Sequence, residues 1–238
     1  MQQPNEEGAL IDISVAYSAD TPVWPGDTPF SCGWIARRED GSSVNIGRVT
    51  TSIHAGTHAD APLHVESTWA GSEALPARVF VGEACVIALP HDMPSDAEIT
   101  RDVLASLIGA DGPRSPLRLL CRTGHSVSRG AFPDAWPVLS ADAAAWLVES
   151  GLLLWGTDAP SVDTRLSRSL PVHHALFGAG AFVLENLSLQ GVAPGHYELL
   201  AQPLAICGAD AAPVRAMLRP IMRVETVIES KIETAASG

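Results

Sequence analysis

The sequence predicts a strand-rich mixed α/β fold, in which a few helices flank a central barrel-like or layered sheet. Short apolar or alternating runs bounded by turn residues recur along the whole chain, which is typical of strands. Only a few segments combine a capping residue with helical spacing of apolar positions. The chain has 238 residues, 46% of them hydrophobic. Because no linker-like stretch interrupts it, we expect a single domain over residues 1–238.

The predicted strands follow one another from the N-terminal region to the end of the chain. We expect them at residues 10–16, 48–54, 79–89, 117–122, 152–156, 181–186, 197–206 and 214–228. The run Ala181-Phe-Val-Leu is apolar throughout, which indicates a buried strand, and Glu185 follows it near the strand end.

Three segments are predicted to be helical. Thr100 can cap a helix that runs to about Ile108. Ser140 can cap a helix over Ala141–Ser150, with Gly151 as its stop. A short helix over residues 171–178 begins with proline, which is favoured in the first turn, and ends at a glycine.

A histidine-rich segment reads His54-Ala-Gly-Thr-His58-Ala-Asp60-Ala-Pro-Leu-His64. A helix would turn Asp60 and His64 away from the first two histidines, and Gly56 would weaken it. In an extended chain all four polar groups share parity and face one side. We therefore predict that His54, His58 and Asp60 bind metal; the alternative is a loop with histidines that bind nothing.

This assignment requires a bend at Gly56. A straight strand would hold His54 and His58 ~13 Å apart, too far for one ion. A glycine can adopt a turn or bulge that draws the two imidazoles together. Asp60 could then bridge to a second ion.

A second pair of candidate ligands lies far downstream. The predicted helix at 171–178 carries His173, and the strand that follows it returns Glu185 toward the same place. Taken alone, this pair is better explained by a helix-capping or surface histidine and a carboxylate at a strand end, and it is the first cluster that favours ligands. His174 points about 100° away from His173 on a helix, so we expect it to pack or to support the ligands indirectly.

The six candidate groups contain histidine and carboxylate and no cysteine, which favours zinc or manganese with positions left open for water. Two such ions can activate water against an amide carbonyl. The leaving nitrogen then needs a proton, and histidine, whose model-peptide pKa is ~6.5, is the residue type suited to that transfer. We predict that His64 is catalytic and not a primary ligand.

The chain resembles the metal-dependent cyclase-like hydrolases, whose signature His-x-Gly-Thr-His-x-Asp-x-Pro-x-His is complete here. Within that family it is similar to the bacterial kynurenine formamidases. This similarity extends to Leu10–Ser14, Thr21-Pro-Val-Trp24-Pro-Gly-Asp27, Val44–Arg48, Gly156–Asp163 and Gly208–Arg215.

The resemblance implies a three-layer β/β/α fold of the swivelling type, and commonly a homodimer. It implies two zinc ions held by His54, His58, Asp60, His173 and Glu185, with Asp60 and Glu185 shared between them. It further implies that His64 transfers protons, that Trp24 contacts the substrate, and that the substrate is N-formyl-L-kynurenine, cleaved to kynurenine and formate. An indole at Trp24 can stack on an aniline ring, although core packing is the commoner fate of tryptophan.

Composition argues against several classes of partner. A formal net charge of −12 disfavours nucleic acid and anionic membranes. The apolar runs are too short to cross a bilayer, and the first residues carry no signal-peptide pattern, so we expect a cytoplasmic protein.

Three alternatives remain. The first is a related hydrolase such as an isatin hydrolase, which opens a cyclic amide, with manganese. The second is a serine mechanism at Gly124-His125-Ser126-Val-Ser128, which lacks the final glycine of a nucleophile elbow. The third is a protein without catalysis in which the metal only stabilises the fold, and the surplus of candidate ligands argues against it.

Overall fold

A computed structural model describes residues 9–108 and 117–221. Its strands are β1 (Ile11–Asp12), β2 (Ser31–Ala36), β3 (Ile46–Thr50), β4 (His58–Asp60), β5 (Val81–Ala88), β6 (Glu98–Ile99), β7 (Leu117–Arg122), β8 (Val138–Leu139), β9 (Leu152–Thr157), β10 (Phe182–Glu185), β11 (Gly195–Leu200), β12 (Ala211–Pro213) and β13 (Met217–Pro220). Its helices are α1 (Arg101–Ile108), α2 (Ala141–Glu149) and α3 (Pro171–Gly178).

One curled, half-barrel sheet of nine strands dominates the fold, in the order β1-β13-β11-β5-β7-β9-β10-β4-β12. Neighbouring strands from β5 to β10 are parallel, and the outer pairs are antiparallel. Each parallel connection carries one helix, because a chain must cross back over the sheet before it can pair in parallel. This mixed α/β sheet confirms the predicted fold class.

The central strands are buried on both faces. On β7, Leu119 and Cys121 pack with helix residues such as Leu104, Leu147 and Leu176. Leu120 points to the other face, where it meets residues of the outer strands and of the segments around them. Helices therefore cover one face of the sheet, while the curl of the sheet encloses the other.

The helix predictions are confirmed by their caps. The Ser140 hydroxyl accepts a hydrogen bond from the Ala143 N–H (3.4 Å), and α2 ends just before Ser150. Thr100 plays the same part for α1 through the Val103 N–H (3.4 Å). Helix α3 has the predicted bounds, with Pro171 in its first turn.

Several strand predictions were wrong in extent. Only Ile11–Asp12 of residues 10–16 forms a strand, with one further bridge at Ser14. The strand predicted at 48–54 begins earlier and ends at Thr50, and that at 197–206 ends at Leu200. Residues 217–220 of the last predicted strand form β13, and residues 222–228 lie outside the described residues.

A two-stranded ribbon of β2 and β3 was not predicted as a hairpin, because its first strand lacks an alternating pattern. The ribbon lies outside the main sheet. Trp34, Ile35 and Val49 on it are 57%, 65% and 58% exposed, which is unusual for large apolar side chains. None of the helices in the two described ranges is long and apolar enough to span a membrane.

Candidate metal centre

Strand β4 places two polar side chains on one face of the sheet. His58 and Asp60 share parity, and Ala59 between them points into the core. The His58 Nε2 atom lies 3.2 Å from Asp60 Oδ1. Glu185 on β10 pairs directly opposite His58 in the antiparallel register, and its Oε2 lies 3.4 Å from His58 Nε2. Strand pairing therefore brings Glu185 to the predicted cluster.

The bend that brings His54 to the same place lies at Gly56, as predicted. Gly56 has φ +59°, in the left-handed region that favours glycine. The loop before β4 consequently folds back, and His54 Nδ1 lies 3.2 Å from His58 Nε2 and 3.1 Å from Asp60 Oδ1. The Thr57 hydroxyl anchors this loop by donating a hydrogen bond to the Asn186 carbonyl oxygen (2.6 Å).

Helix α3 supplies His173, and Asp163 positions it. The Asp163 carboxylate accepts hydrogen bonds from the backbone N–H groups of Val172 and His173 (3.0 and 3.1 Å) in the first turn of α3. It also lies 2.7 Å from His173 Nδ1. The other ring nitrogen, Nε2, lies 3.1 Å from Asp60 Oδ2 and 3.5 Å from Glu185 Oε1. The sequence-predicted pair from the distant segment thus joins the cluster.

Each ligand candidate among the histidines has one nitrogen held from outside the cluster. His58 Nδ1 lies 3.0 Å from the Gly56 carbonyl oxygen, His54 Nε2 lies 3.0 Å from Asp210 Oδ2, and His173 Nδ1 lies against Asp163. A carbonyl or carboxylate can only accept, so these nitrogens donate. The second ring nitrogen of each histidine faces the carboxylate of Asp60, and those of His58 and His173 also lie near Glu185. Outer acceptors of this kind orient histidines that bind metal.

The donor set fits a metal ion. Asp60 Oδ1 is buried and makes no well-directed hydrogen bond within the described part of the chain, although ring nitrogens of His54 and His58 lie 3.1 and 3.2 Å away. Such an atom is costly unless a cation satisfies it. Ligand atoms of His54, His58 and Asp60 lie within 4.8 Å of one another, and so do those of Asp60, His64 and His173. Histidine and carboxylate ligands suit zinc or manganese.

In the metal-free protein these histidines retain protons. Burial opposes protonation of His54, but the charge of Asp60 and the hydrogen bond to Asp210 outweigh it and raise the pKa to about 10. Burial likewise opposes protonation of His58, and Asp60 raises its pKa to about 9. Burial raises the pKa of Asp60, yet the neighbouring histidines hold it well below its usual range. Protons therefore occupy positions where a cation would replace them.

His64 lies at the edge of the cluster and is more accessible. Its side chain is 28% exposed, compared with 21% for His54 and 1% each for His58 and His173. His64 Nδ1 lies 3.2 Å from Asp210 Oδ2. Hydrogen bonds from His54 and His64 hold the pKa of Asp210 below its usual value, so the carboxylate accepts from both rings. The contact with Asp210 uses Nδ1 of His64 and leaves the other ring nitrogen, Nε2, outside this hydrogen bond.

A cavity of about 330 Å³ opens above the cluster. Residues from several loops line it: Pro22, Val23, Trp24, Asp27, His54, His58, His64, Phe132, Pro160, Ser161, Leu170, His173, Glu185 and Asn186. Trp24 forms part of this wall, with its ring edge-on to those of Phe132 and Trp136 at centroid distances of 5.3 and 5.9 Å. The cavity is small and largely apolar with polar groups at its base, as small-molecule sites are.

Sequence reasoning missed two site residues, Asp163 and Asp210. Both fall in segments that carried the family resemblance, Gly156–Asp163 and Gly208–Arg215, but neither stands beside the histidine motif.

His174 is exposed and packs against Trp69 at a ring distance of 5.9 Å, which confirms its packing role. Ser126 donates its hydroxyl to the Leu187 carbonyl oxygen (3.2 Å) and not to a histidine, which argues against a serine nucleophile there.

Known proteins resemble this chain over most of its length. A family model described as putative cyclase matches residues 11–164. The chain is 47% identical over 213 residues to a kynurenine formamidase of Salinibacter ruber, covering 89% of this chain and 97% of that protein. It is 42% identical over 213 residues to a kynurenine formamidase of Bacillus anthracis, with the same coverage.

Solved structures share the fold. A potential metal-dependent hydrolase with cyclase activity matches with a TM-score of 0.75 and 28% identity, over 90% of this chain and 99% of that one. Isatin hydrolase A from Labrenzia aggregata matches with a TM-score of 0.77 and 26% identity, over 89% and 93%. The family model covers well over half of the chain, which confirms the resemblance inferred from the histidine motif: this chain belongs to the cyclase family of metal-dependent hydrolases.

Proposed function

We propose that this protein is a metal-dependent kynurenine formamidase that hydrolyses N-formyl-L-kynurenine to L-kynurenine and formate, a step of tryptophan degradation. Relatives that bear the name kynurenine formamidase, at 42–47% identity over 89% of the chain, support this substrate. The observation that carries the proposal is the cluster of histidines and carboxylates at the base of a cavity with an aromatic wall.

We propose that this cluster binds two metal ions. His54 and His58 would hold one ion and His173 the other, with the carboxylates of Asp60 and Glu185 contributing to both. Zinc is the expected ion, and manganese suits the same ligands. When bound, such ions supply Lewis-acid activation of water and of the formyl carbonyl group.

His64 is the proposed catalytic acid and base. Because Asp210 holds its Nδ1 as a donor, Nε2 can take a proton from the attacking water and deliver it to the departing aniline nitrogen. Water adds to the formyl carbon, the C–N bond breaks, and the aromatic amine and formate leave. The contact of His64 with Asp210, and its greater exposure than His58 and His173, support this division of roles.

Trp24 is the proposed contact for the aromatic ring of the substrate. Phe132 and Trp136 pack edge-on against its indole, so little side-chain freedom remains to be lost on binding. An aromatic pair of this kind contributes roughly 0.5–1.5 kcal/mol beyond the burial of its surface.

We further propose that two copies of the chain associate through the ribbon of β2 and β3. Trp34 and Val49 are exposed on one face of this ribbon, and a second copy would cover them. The cytoplasmic location expected from the sequence stays a prediction.

A substrate panel with metal analysis tests the function. Purified protein loaded with zinc or manganese is assayed on N-formyl-L-kynurenine, formanilide and isatin, with and without a chelator. We expect about two metal ions per chain, fastest turnover of N-formyl-L-kynurenine, and loss of turnover with the chelator that zinc or manganese restores. Retained turnover in fully metal-depleted protein would reject the proposal.

Isatin hydrolysis is the second candidate, since isatin hydrolase A has the same fold at a TM-score of 0.77. The same panel separates the two activities. Ring opening of isatin by protein that leaves both formamides intact would establish the alternative.

A further inference from the structure

One charged group in the cavity takes no part in the proposed chemistry. Among the described residues that line the cavity, Asp27 is the charged side chain outside the cluster of histidines and carboxylates. It is partly buried and stands at the end of the loop that carries Trp24. Its charge is therefore presented to whatever the cavity binds.

A tight turn fixes Asp27 relative to Trp24. The turn is Trp24-Pro25-Gly26-Asp27, closed by the Asp27 N–H, which donates to the Trp24 carbonyl oxygen at 2.9 Å. Proline in the second position and glycine at φ +93° in the third are the residues that a type II turn requires. Both ends of this turn line the cavity, so its backbone sets the distance between an aromatic surface and a negative charge.

That combination matches an aromatic substrate with an amino-acid side arm. N-formylkynurenine carries an α-ammonium and an α-carboxylate a few bonds from its aromatic ring. With the ring against Trp24, a side arm directed toward Asp27 meets a carboxylate, which attracts the ammonium group and repels an unaccompanied carboxylate.

We propose that Asp27 recognises the α-ammonium group and thereby makes the enzyme select amino-acid substrates over simple formanilides. This inference rests on the proposed formamidase function and assigns to Asp27 the binding of the substrate's amino-acid end. Asp27 acts on substrate specificity and transfers no proton.

The substitution Asp27→Asn isolates the charge. Asp27 Oδ1 accepts a hydrogen bond from the Thr28 N–H at 2.7 Å, and the asparagine oxygen can accept the same bond. The turn hydrogen bond uses backbone atoms only. Asp20→Asn is the matched control, because Asp20 is an exposed aspartate seven residues earlier that does not line the cavity.

Three formamides are compared on wild type and both variants: N-formyl-L-kynurenine, formanilide, and the desamino analogue that keeps the carboxylate and lacks the ammonium group. We expect Asp27→Asn to lower the ratio of kcat/KM for N-formyl-L-kynurenine to that for formanilide about tenfold, mainly through KM. The desamino analogue should gain relative to formanilide, since a repulsion is removed. Asp20→Asn should leave both ratios as in wild type.

Equal losses on all three substrates would show that Asp27 only maintains the loop, and unchanged ratios would show that it does not read the side arm; either result overturns the inference. Calorimetric binding of L-kynurenine and of 2-aminoacetophenone gives a readout independent of turnover. Weaker binding of kynurenine alone to Asp27→Asn supports ammonium recognition even if wild type cleaves no formamide, an outcome that would reject only the proposed function. Unchanged kynurenine binding counts against the inference in every case.

Discussion

Asp210 Oδ2 lies 3.2 Å from His64 Nδ1, and this contact decides which nitrogen of His64 is free for proton transfer. The same oxygen also lies 3.0 Å from His54 Nε2. One carboxylate thus connects a proposed metal ligand to the proposed acid and base. Histidine tautomers are commonly set by such a partner.

The first prediction concerns Asp210→Asn. An asparagine carries no charge and can turn its donor NH₂ group toward either ring, so the tautomer of His64 is no longer fixed. We expect kcat to fall about 10–100-fold, with the metal content measured alongside by mass spectrometry.

The contribution of His64 to this loss can be separated in a double-mutant cycle. In a His64→Ala background, Asp210→Asn should cost far less than in wild type, because the group it positions is gone. Equal losses in the two backgrounds would mean that Asp210 acts through His54 and the metal, which contradicts our assignment.

The second prediction separates ligands from the proton-transfer residue. His64→Ala should retain the metal and lose about 10²–10⁴-fold in kcat, the usual contribution of general acid–base catalysis. His58→Ala should lose metal, since His58 is buried at the centre of the cluster with Nε2 facing both Asp60 and Glu185. If His64→Ala instead emptied the site, His64 would be a ligand.

The third prediction follows from the raised pKa values of His54 and His58, about 10 and about 9. Both imidazoles are protonated at pH 7 in the metal-free protein and must lose a proton to bind a cation. We expect zinc binding at pH 7 to release about two protons per chain from these residues, and zinc affinity to rise toward pH 9. Calorimetry in buffers of different ionisation enthalpy measures the proton count.

The same values predict the stability of the metal-free protein. A histidine whose folded pKa is raised stabilises the fold fully below its unfolded pKa, ~6.5, and loses that contribution as the pH rises through the folded value. Denaturant unfolding of stripped protein should therefore show a falling free energy of unfolding between about pH 6.5 and 10. Stability that rises over this range would contradict the protonation states described above.

The histidine motif could be predicted from sequence because period-2 parity and one glycine decide its geometry. His58 and Asp60 share a face of β4, and Gly56 provides the bend. Glu185 could be foreseen only as a candidate, because its place depends on the antiparallel register of β10 against β4. Long-range strand pairing leaves no local signal in either segment.

Asp163 and Asp210, which accept hydrogen bonds from the histidines of the site, could not be predicted for a similar reason. The residues around Asp163 indicate only an aspartate in a loop. It caps α3 and contacts His173 because the loop before the helix folds back onto the first turn of the helix. Asp210 reaches His64 across 146 positions of sequence. The ribbon strand β2 was missed because its side chains are mostly exposed, so burial imposes no alternation on them.

The fourth prediction tests the bend at Gly56. A Cβ there would lie 3.3 Å from both Tyr17 Cζ and the Val15 carbonyl oxygen, and the left-handed backbone costs a non-glycine residue roughly 1–2 kcal/mol. Gly56→Ala should lower the free energy of unfolding by at least this amount and weaken metal binding, because His54 and His58 move apart.

Gly41→Ala is the matched control for this substitution. Gly41 also has a positive φ, +88°, but a Cβ there meets no atom within 4 Å, and it lies outside the site. We expect a similar conformational cost with unchanged metal affinity. Equal metal affinities for Gly56→Ala and wild type would show that the bend does not set the cluster.

The last prediction concerns association through the ribbon. The register pairs Cys32 with Val49 and Trp34 with Gly47, so Trp34 and Val49 share one face of the two strands. Both are more than half exposed, and burying them against a second copy would remove apolar surface from water. Light scattering after size-exclusion chromatography should give twice the chain mass of 25.0 kDa for wild type and a lighter species for Trp34→Ser/Val49→Thr.

Leu166→Ser is the control for this double variant: it removes an 88% exposed leucine outside the ribbon and should leave the mass unchanged. Because these changes lie on the surface of the ribbon, the folded chain should survive them, and a double variant with the wild-type mass and an intact circular dichroism spectrum would refute the ribbon as the interface.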